Sequence, residues 1–295
     1  MKRIGFIGLG IMGKPMCKNL LKAGLPVVVY ARKPAIAREL VDAGATLAES
    51  PRAVAAASDV VITMLPDSPE VKEVVLGPNG VLEGARRGAT VIDMSSIAPL
   101  VSREVAAKLA ERGVEMLDAP VSGGEPRAIS GTLSVMVGGK QAVFDACLDI
   151  MKAMASSVVR VGDAGAGSIA KLANQIVVAI NIAAVSEALV LAAKAGVEPE
   201  LVFNAIRGGL AGSAVLEAKA PLMMDRKFDP GFRIGLHIKD LANVLATSHQ
   251  IGLALPLTAG VMEMMQAAKT AGLANSDHSG LVQHYEAMAG VEVKR

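Results

Sequence analysis

The sequence predicts an α/β chain whose first half is a doubly wound, mostly parallel sheet and whose second half is all-α, entered by a long inter-domain helix. Three observations predict it. Short β-branched runs alternate with helix-like stretches up to about residue 160. Those runs are continuously apolar rather than alternating, as a sheet covered on both faces requires. After Gly167 only helical patterns remain.

Taken in order, the strands are expected at Ile4 to Ile7, Val27 to Tyr30, Val60 to Met64, Thr90 to Asp93, Glu115 to Ala119, Leu133 to Val137 and Val158 to Val161. A helix follows the first strand and runs to about Ala23. Ser50-Pro51 and Ser68-Pro69 read as helix starts, a serine cap followed by a proline whose missing N–H is not needed in the first turn. Ser168 to Ala195 reads as one helix of about 28 residues, long enough to connect two domains. Further helices are expected to begin near Pro199, Ser213, Gly235, Pro256 and Asp277, each opened by a cap or breaker. The expected domains are 1–163 and 164–295.

Composition narrows the function. Hydrophobic residues at 52% and a net charge of only +2 describe a folded chain and argue against disorder. That charge balance, with aromatics at 2% and no Trp, is a poor match for nucleic acid, which calls for basic grooves and stacking platforms. Cys17 and Cys147 make neither a disulfide framework nor a metal-ligand spacing, so a reducing, cytoplasmic setting is expected and no metal. The mean hydropathy is positive. Its most apolar stretch, Leu172 to Val185, contains Asn174, Gln175 and Asn181 and is shorter than the ~20 residues that cross a bilayer, so it reads as a buried helix and no membrane partner is expected. Lys2 and Arg3 precede an apolar stretch, but Gly8, Gly10 and Gly13 interrupt it and Lys14 and Lys18 follow, which does not fit a cleaved targeting segment.

Gly8-Leu9-Gly10-Ile11-Met12-Gly13 is a G-x-G-x-x-G run directly after a strand and at the start of a helix. In a Rossmann domain such glycines permit a tight turn, close approach of a pyrophosphate to backbone and close helix packing, with the helix N-terminus aimed at the anion. The carboxylate that would hold a ribose 2′-hydroxyl is absent: the position is Ala31, followed by Arg32 and Lys33. An arginine there can hold a 2′-phosphate that a carboxylate would repel, which points to NADP over NAD, with NAD use still possible. The same pair is also what a solvated loop looks like.

Three more loops follow strands, where doubly wound sheets bind ligands. Met64-Leu65-Pro66 and Asp93-Met94-Ser95-Ser96 could flank the nicotinamide and its ribose. The consecutive amides of Ser122, Gly123 and Gly124 could form an anion concavity for a small carboxylate, or merely a turn. In the long helix, Lys171 lies in an early turn with Asn174 and Asn181 on roughly the same face and with no acidic residue at i±3 or i±4. Burial and the positive helix end would both favour its neutral amine, suiting it to protonate a developing alkoxide; a snorkelling surface lysine is the bland reading of the same segment. Lys239-Asp240 by itself reads as a solvated charge pair. The four histidines form no metal set and no Ser-His-Asp arrangement that the sequence supports.

Phe6 to Gly13, Asp118 to Gly124, Gly165-Ala166-Gly167 with Lys171 and Asn174, and Lys239-Asp240 together resemble the β-hydroxyacid dehydrogenase family, across essentially the whole chain. The resemblance implies a Rossmann domain followed by a helical substrate and oligomerisation domain. It implies Lys171 as general acid/base, Ser122, Gly123, Gly124 and Asn174 as substrate-binding residues, and Ser96 and Lys239 as cofactor contacts. A small hydroxy acid or its semialdehyde is the implied substrate, and a homodimer or homotetramer the implied assembly. Two positions depart: Ala31 stands where many members have Asp, so NAD use does not carry over, and Ser96 stands where relatives often have Thr, which keeps the hydroxyl. The rival of another class is a non-catalytic dinucleotide-sensing module.

Overall fold

A computed structural model describes residues 2–295. Among them nine strands form one sheet: β1 (Ile4–Ile7), β2 (Val27–Tyr30), β3 (Thr46–Leu47), β4 (Val60–Thr63), β5 (Thr90–Asp93), β6 (Glu115–Asp118), β7 (Val121–Ser122), β8 (Leu133–Gly138) and β9 (Ala155–Gly162). Their order is β3-β2-β1-β4-β5-β6-β8-β7, with β9 added to β8. From β3 through β6 every pairing is parallel; β8 is antiparallel to β6 and β7 and parallel to β9. All seven expected strands are present. The two that sequence reading did not anticipate, β3 and β7, are two residues long, too short to carry a pattern.

Successive residues of a strand face opposite sides, and here both sides are covered. Ile4, Phe6, Val27, Val29, Val60 and Ile62 pack with Met16 and Leu20 of the helix Gly13–Lys22 on one face. Ile7, Val28, Val61 and Val91 pack with Val54, Val71, Val105 and Leu109 on the other. That double burial is why the strands read as unbroken apolar runs. It contributes ~1.5 to 3 kcal/mol for each such side chain.

The caps show one confirmation and one shift. Ser50 accepts a hydrogen bond from the Ala53 amide at 3.1 Å, as its Ser-Pro start implies. At the second start the cap is Asp67, whose carboxylate accepts from Ser68 N at 2.7 Å, and Ser68 becomes the first residue of the helix Ser68–Leu76. The freed Ser68 hydroxyl accepts from the Ala98 amide instead, at 3.1 Å.

The chain divides into two compact units between Lys171 and Leu172. The sequence places its boundary at 163/164, where the strand pattern stops, whereas the first turns of the long helix Ala166–Lys194 belong to the sheet-bearing unit. Asp118, at the end of β6, explains this: Oδ1 accepts from Gly165 N at 2.7 Å and Oδ2 from Ser168 N at 2.8 Å. The approach is close enough that a Cβ on Gly167 would lie 2.3 Å from the Asp118 carbonyl oxygen.

The second unit is helical, built on the remainder of the long helix with Pro199–Ile206, Ala214–Met224, Ile234–Gln250, Pro256–Thr270 and Val282–Ala289. Its core gathers Ala179, Ile182 and Leu189 with Leu216, Met223, Leu241 and Met265. The long helix has the length and apolarity to cross a bilayer, and 44% of its most apolar window is buried. Its expected burial holds for the core face; Val177 and Leu191 are 59% and 71% exposed.

Removing the Asp118 carboxylate strands two buried amides. Asp118→Ala is expected to lower unfolding free energy by about 2 to 4 kcal/mol, net of the relief of unburying a charge. Urea titration of both proteins checks this; a loss under about 0.5 kcal/mol contradicts the tether.

Candidate active site

Parallel strands point their carboxyl ends to one edge, and the sheet brings four expected cofactor segments there: Gly8 to Gly13 after β1, Ala31 to Lys33 after β2, Met64 to Pro66 after β4, and Ser96 after β5. The three glycines divide their labour. Gly8 sits at φ +105°, where an added Cβ would lie 2.2 Å from the Met64 carbonyl oxygen, and a Cβ on Gly13 would lie 1.8 Å from the Gly8 carbonyl oxygen. Both are required by the protein's own packing. A Cβ on Gly10 would meet nothing within 4 Å. Its bareness serves no internal contact, which fits a backbone that a pyrophosphate approaches. Leu9 is buried in the core, while Ile11 is exposed and Met12 half-buried beside the glycines. Arg32 and Lys33 are exposed beyond β2, and neither forms an ion pair among the described residues.

The loops after β4 and β5 are tied together by Asp93, which the sequence offered only as the first residue of its loop. Asp93 Oδ1 accepts from the Thr63 hydroxyl at 2.8 Å and from Ser95 N at 3.1 Å, and the Ser95 hydroxyl accepts from Leu65 N at 2.9 Å. The backbone from Thr63 to Leu65 is thereby fixed to that from Asp93 to Ser95, next to Ser96. Asp93 is fully buried, and its Oδ2 finds no partner among the described residues. Burial pushes the carboxyl up to about 6, with the neighbouring Asp118 adding to the rise and the Ser95 and Thr63 hydrogen bonds opposing it. Asp118 is the register partner of Asp93 on β6. Its carboxyl is likewise raised by burial, against the Ser168 and Gly165 amides.

Because Asp118 anchors the start of the long helix, Lys171 is placed one turn further along, only 7% exposed. The snorkelling alternative predicts an exposed amine and does not describe it. Ser122 lies in β7, paired with Ser134 of β8, and Gly123 and Gly124 follow at φ +134° and +66°. Glycine takes such positive φ values without the strain a side chain would bring.

Asn174 and Lys239 lie in the second unit. Asn174 Nδ2 donates to Gln175 Oε1 at 2.8 Å, and Gln175 Nε2 donates to Asp240 Oδ2 at 2.6 Å. Lys239 Nζ is 2.9 Å from Asp240 Oδ1. Asp240 is buried, so Lys239-Asp240 is not the solvated pair its sequence suggests when taken alone. Sequence reading gave Gln175 no role, named Asp93 only as the first residue of a loop and Asp240 only as half of the Lys239-Asp240 pair. A carboxylate or amide inside an apolar run was the available signal, since such a group needs a partner. No His/Cys/Asp/Glu cluster suited to a metal occurs among the described residues.

Native Asp93 keeps its proton up to about pH 6, whereas the unfolded chain releases it in the ordinary carboxylate range. Stability therefore falls as pH rises from about 4 to 6, by up to about 3 kcal/mol for this residue at 1.36 kcal/mol per pKa unit. Asp93→Asn retains the accepting oxygen and removes the charge, so the drop in Tm from pH 4.5 to 7.5 is expected to be smaller than in the unaltered protein. Equal drops in the two proteins contradict the assignment.

Known proteins place this geometry in context. The family model for the NAD binding domain of 6-phosphogluconate dehydrogenase matches residues 3–162, and that for the NAD-binding domain of NADP-dependent 3-hydroxyisobutyrate dehydrogenase matches residues 165–285. The chain is 46% identical to 2-hydroxy-3-oxopropionate reductase of Escherichia coli, over 97% of this chain and 98% of that one. It is 38% identical to 2-(hydroxymethyl)glutarate dehydrogenase of Eubacterium barkeri, over 99% and 97%. Among solved structures, 3-hydroxyisobutyrate dehydrogenase of Mycobacterium tuberculosis, with L-serine, superposes with a TM-score of 0.89 at 33% identity, covering 97% of this chain and 99% of that one. Psf3, in complex with NADP+ and 2-OPP, superposes at 0.87 with 25% identity, over 95% and 99%. With matches of this strength running from end to end, the chain belongs to the β-hydroxyacid dehydrogenase family, oxidoreductases that bind a nicotinamide dinucleotide.

Proposed function

We propose that the protein reduces tartronate semialdehyde (2-hydroxy-3-oxopropanoate) to glycerate, with NADPH supplying the hydride and Lys171 the proton. The observation that carries this reading is the burial of Lys171 in a helix whose first turn Asp118 pins to the ligand-binding edge of the sheet. A buried ammonium is a ready donor, because burial disfavours its charge. It protonates the carbonyl oxygen as the carbon is reduced, and takes the proton back in the reverse direction. The Ser122 hydroxyl and the amides of Gly123 and Gly124 hold the substrate carboxylate, and Asn174 orients the substrate. Gly8 through Gly13, with Met64, Leu65, Pro66 and Ser96, hold the dinucleotide, and Lys239 contacts it.

The 46% identity to a 2-hydroxy-3-oxopropionate reductase favours this aldehyde over the oxidised forms of 3-hydroxyisobutyrate, over glyoxylate and over succinic semialdehyde. Exposed Arg32 and Lys33, with no carboxylate at Ala31, favour NADP. The apolar exposure of Val177 and Leu191 suits a homodimer or homotetramer, and two buried free thiols suit a cytoplasmic enzyme.

Two measurements test this. Lys171→Ala is expected to lower kcat by about 10²- to 10⁴-fold while the Kd for NADPH changes less than about threefold; unaltered turnover contradicts the role, and an unaltered protein that binds NADPH but turns over no small semialdehyde contradicts the enzyme reading in favour of a sensing module. Arg32→Asp is expected to move the kcat/KM preference from NADPH toward NADH by tenfold or more. An unaltered protein that prefers NADH contradicts the NADP reading.

A further inference from the structure

The loops after β4 and β5 continue the pairing of their strands beyond the strand ends. Thr63 and Asp93 are the last register pair of β4 and β5, and their side chains bond at 2.8 Å. Two residues on, the Leu65 amide donates to the Ser95 hydroxyl at 2.9 Å. Three further on, the Ala98 amide donates to the Ser68 hydroxyl at 3.1 Å. Each of these bonds spans 30 residues of chain. Segments 63–68 and 93–98 therefore run side by side in a single register, as parallel strands do, with side chains taking over from the backbone ladder.

Both ends of this side-chain ladder are fixed. At the strand end Thr63 and Asp93 are buried, and the Ser95 amide also donates to Asp93 Oδ1, at 3.1 Å. At the other end Ser68 is the first residue of the helix Ser68–Leu76, and Ala98 is the cap of the helix Pro99–Glu111. Moving one loop without the other breaks these bonds and strands their amide donors, at the desolvation cost of each.

Strand order assigns the ladder its ligand. β2 and β4 lie on opposite sides of β1. Under the proposed function the glycine turn after β1 takes the pyrophosphate, and Arg32 after β2 the 2′-phosphate of the adenosine half. The nicotinamide half then falls on the far side of β1, where Met64, Leu65, Pro66 and Ser96 lie inside the tied segments.

We infer that Asp93, Ser95 and Ser68 are positioning residues that join the two loops into one preformed shelf for the nicotinamide half, and that the adenosine half binds without them. This rests on the assignment of those loops to the dinucleotide. A ligand held by a preformed shelf has no loop to order on binding, so its apparent affinity scales with the fraction of protein in which the shelf is joined. A fragment that ends at the adenosine 5′-phosphate does not sense that fraction.

Asp93→Ala and Ser95→Ala each remove ties, whereas Asp93→Asn keeps the accepting oxygen and the volume. Calorimetry gives Kd for the whole dinucleotide and for its adenosine half: NADPH with 2′,5′-ADP, or NADH with 5′-AMP, according to which cofactor the unaltered protein prefers. In both alanine variants the dinucleotide Kd is expected to rise by about fivefold or more while the fragment Kd stays within about twofold. Asp93→Asn is expected to keep both values within about twofold of the unaltered protein. Ser95→Ala removes a single hydroxyl and carries the comparison by itself if Asp93→Ala does not fold. Equal losses for dinucleotide and fragment mark a general structural role and overturn the inference. Dinucleotide binding unchanged in the alanine variants overturns it as well, as does an Asp93→Asn protein that loses as much as they do. An unaltered protein that binds the dinucleotide no more tightly than the fragment overturns instead the assignment of these loops to the cofactor.

Discussion

The hydrogen bonds from the Gly165 and Ser168 amides to the two oxygens of Asp118 are the constraint on which the rest depends. They make the end of β6 the cap of the long helix, and so set where Lys171 comes to lie. Gly138 and Gly167 are bare because the contact is tight: a Cβ on Gly138 would lie 2.4 Å from Asp118 Oδ1. The serine pair Ser102 and Ser168, 2.9 Å apart, joins a neighbouring helix to the same turn. The carboxylate is buried at an energetic disadvantage, and the two amides it accepts offset it.

A second carboxylate one strand away does a parallel task. Asp93 ties the loops after β4 and β5 to each other through Thr63, Ser95 and Leu65, so the edge of the sheet is held by side-chain bonds where the ladder has ended. Both residues sit at the last paired position of their strands. Polar groups placed there are deep enough to be rigid and close enough to the edge to shape the ligand loops.

The sheet was legible because its chemistry is local and repetitive: a strand buried on two faces must be apolar throughout, and Ile4 to Ile7 or Val60 to Thr63 show it directly. The glycine turn was legible because steric need fixes residue type, as at Gly8 and Gly13. Lys171 was legible as chemistry but not as burial, because an early-helix lysine among apolar residues reads the same whether its amine is enclosed or in water. Asp93, Gln175 and Asp240 were not legible. The bonds Thr63–Asp93 and Gln175–Asp240 span 30 and 65 residues of chain, and nothing in a linear pattern reports such a pairing. The Ser68-Pro69 helix start shows the same limit in miniature, since the preceding Asp67 took the cap and left the serine for Ala98.

The most direct test of the proton donor is whether a free amine can do the work of the one on the long helix. In Lys171→Ala, added primary amines of graded basicity are titrated while NADPH oxidation with 2-hydroxy-3-oxopropanoate is followed. Turnover that rises with amine concentration and tracks amine basicity is the predicted result. A variant that still binds NADPH yet gains nothing from any amine small enough to enter contradicts a proton donor at that position.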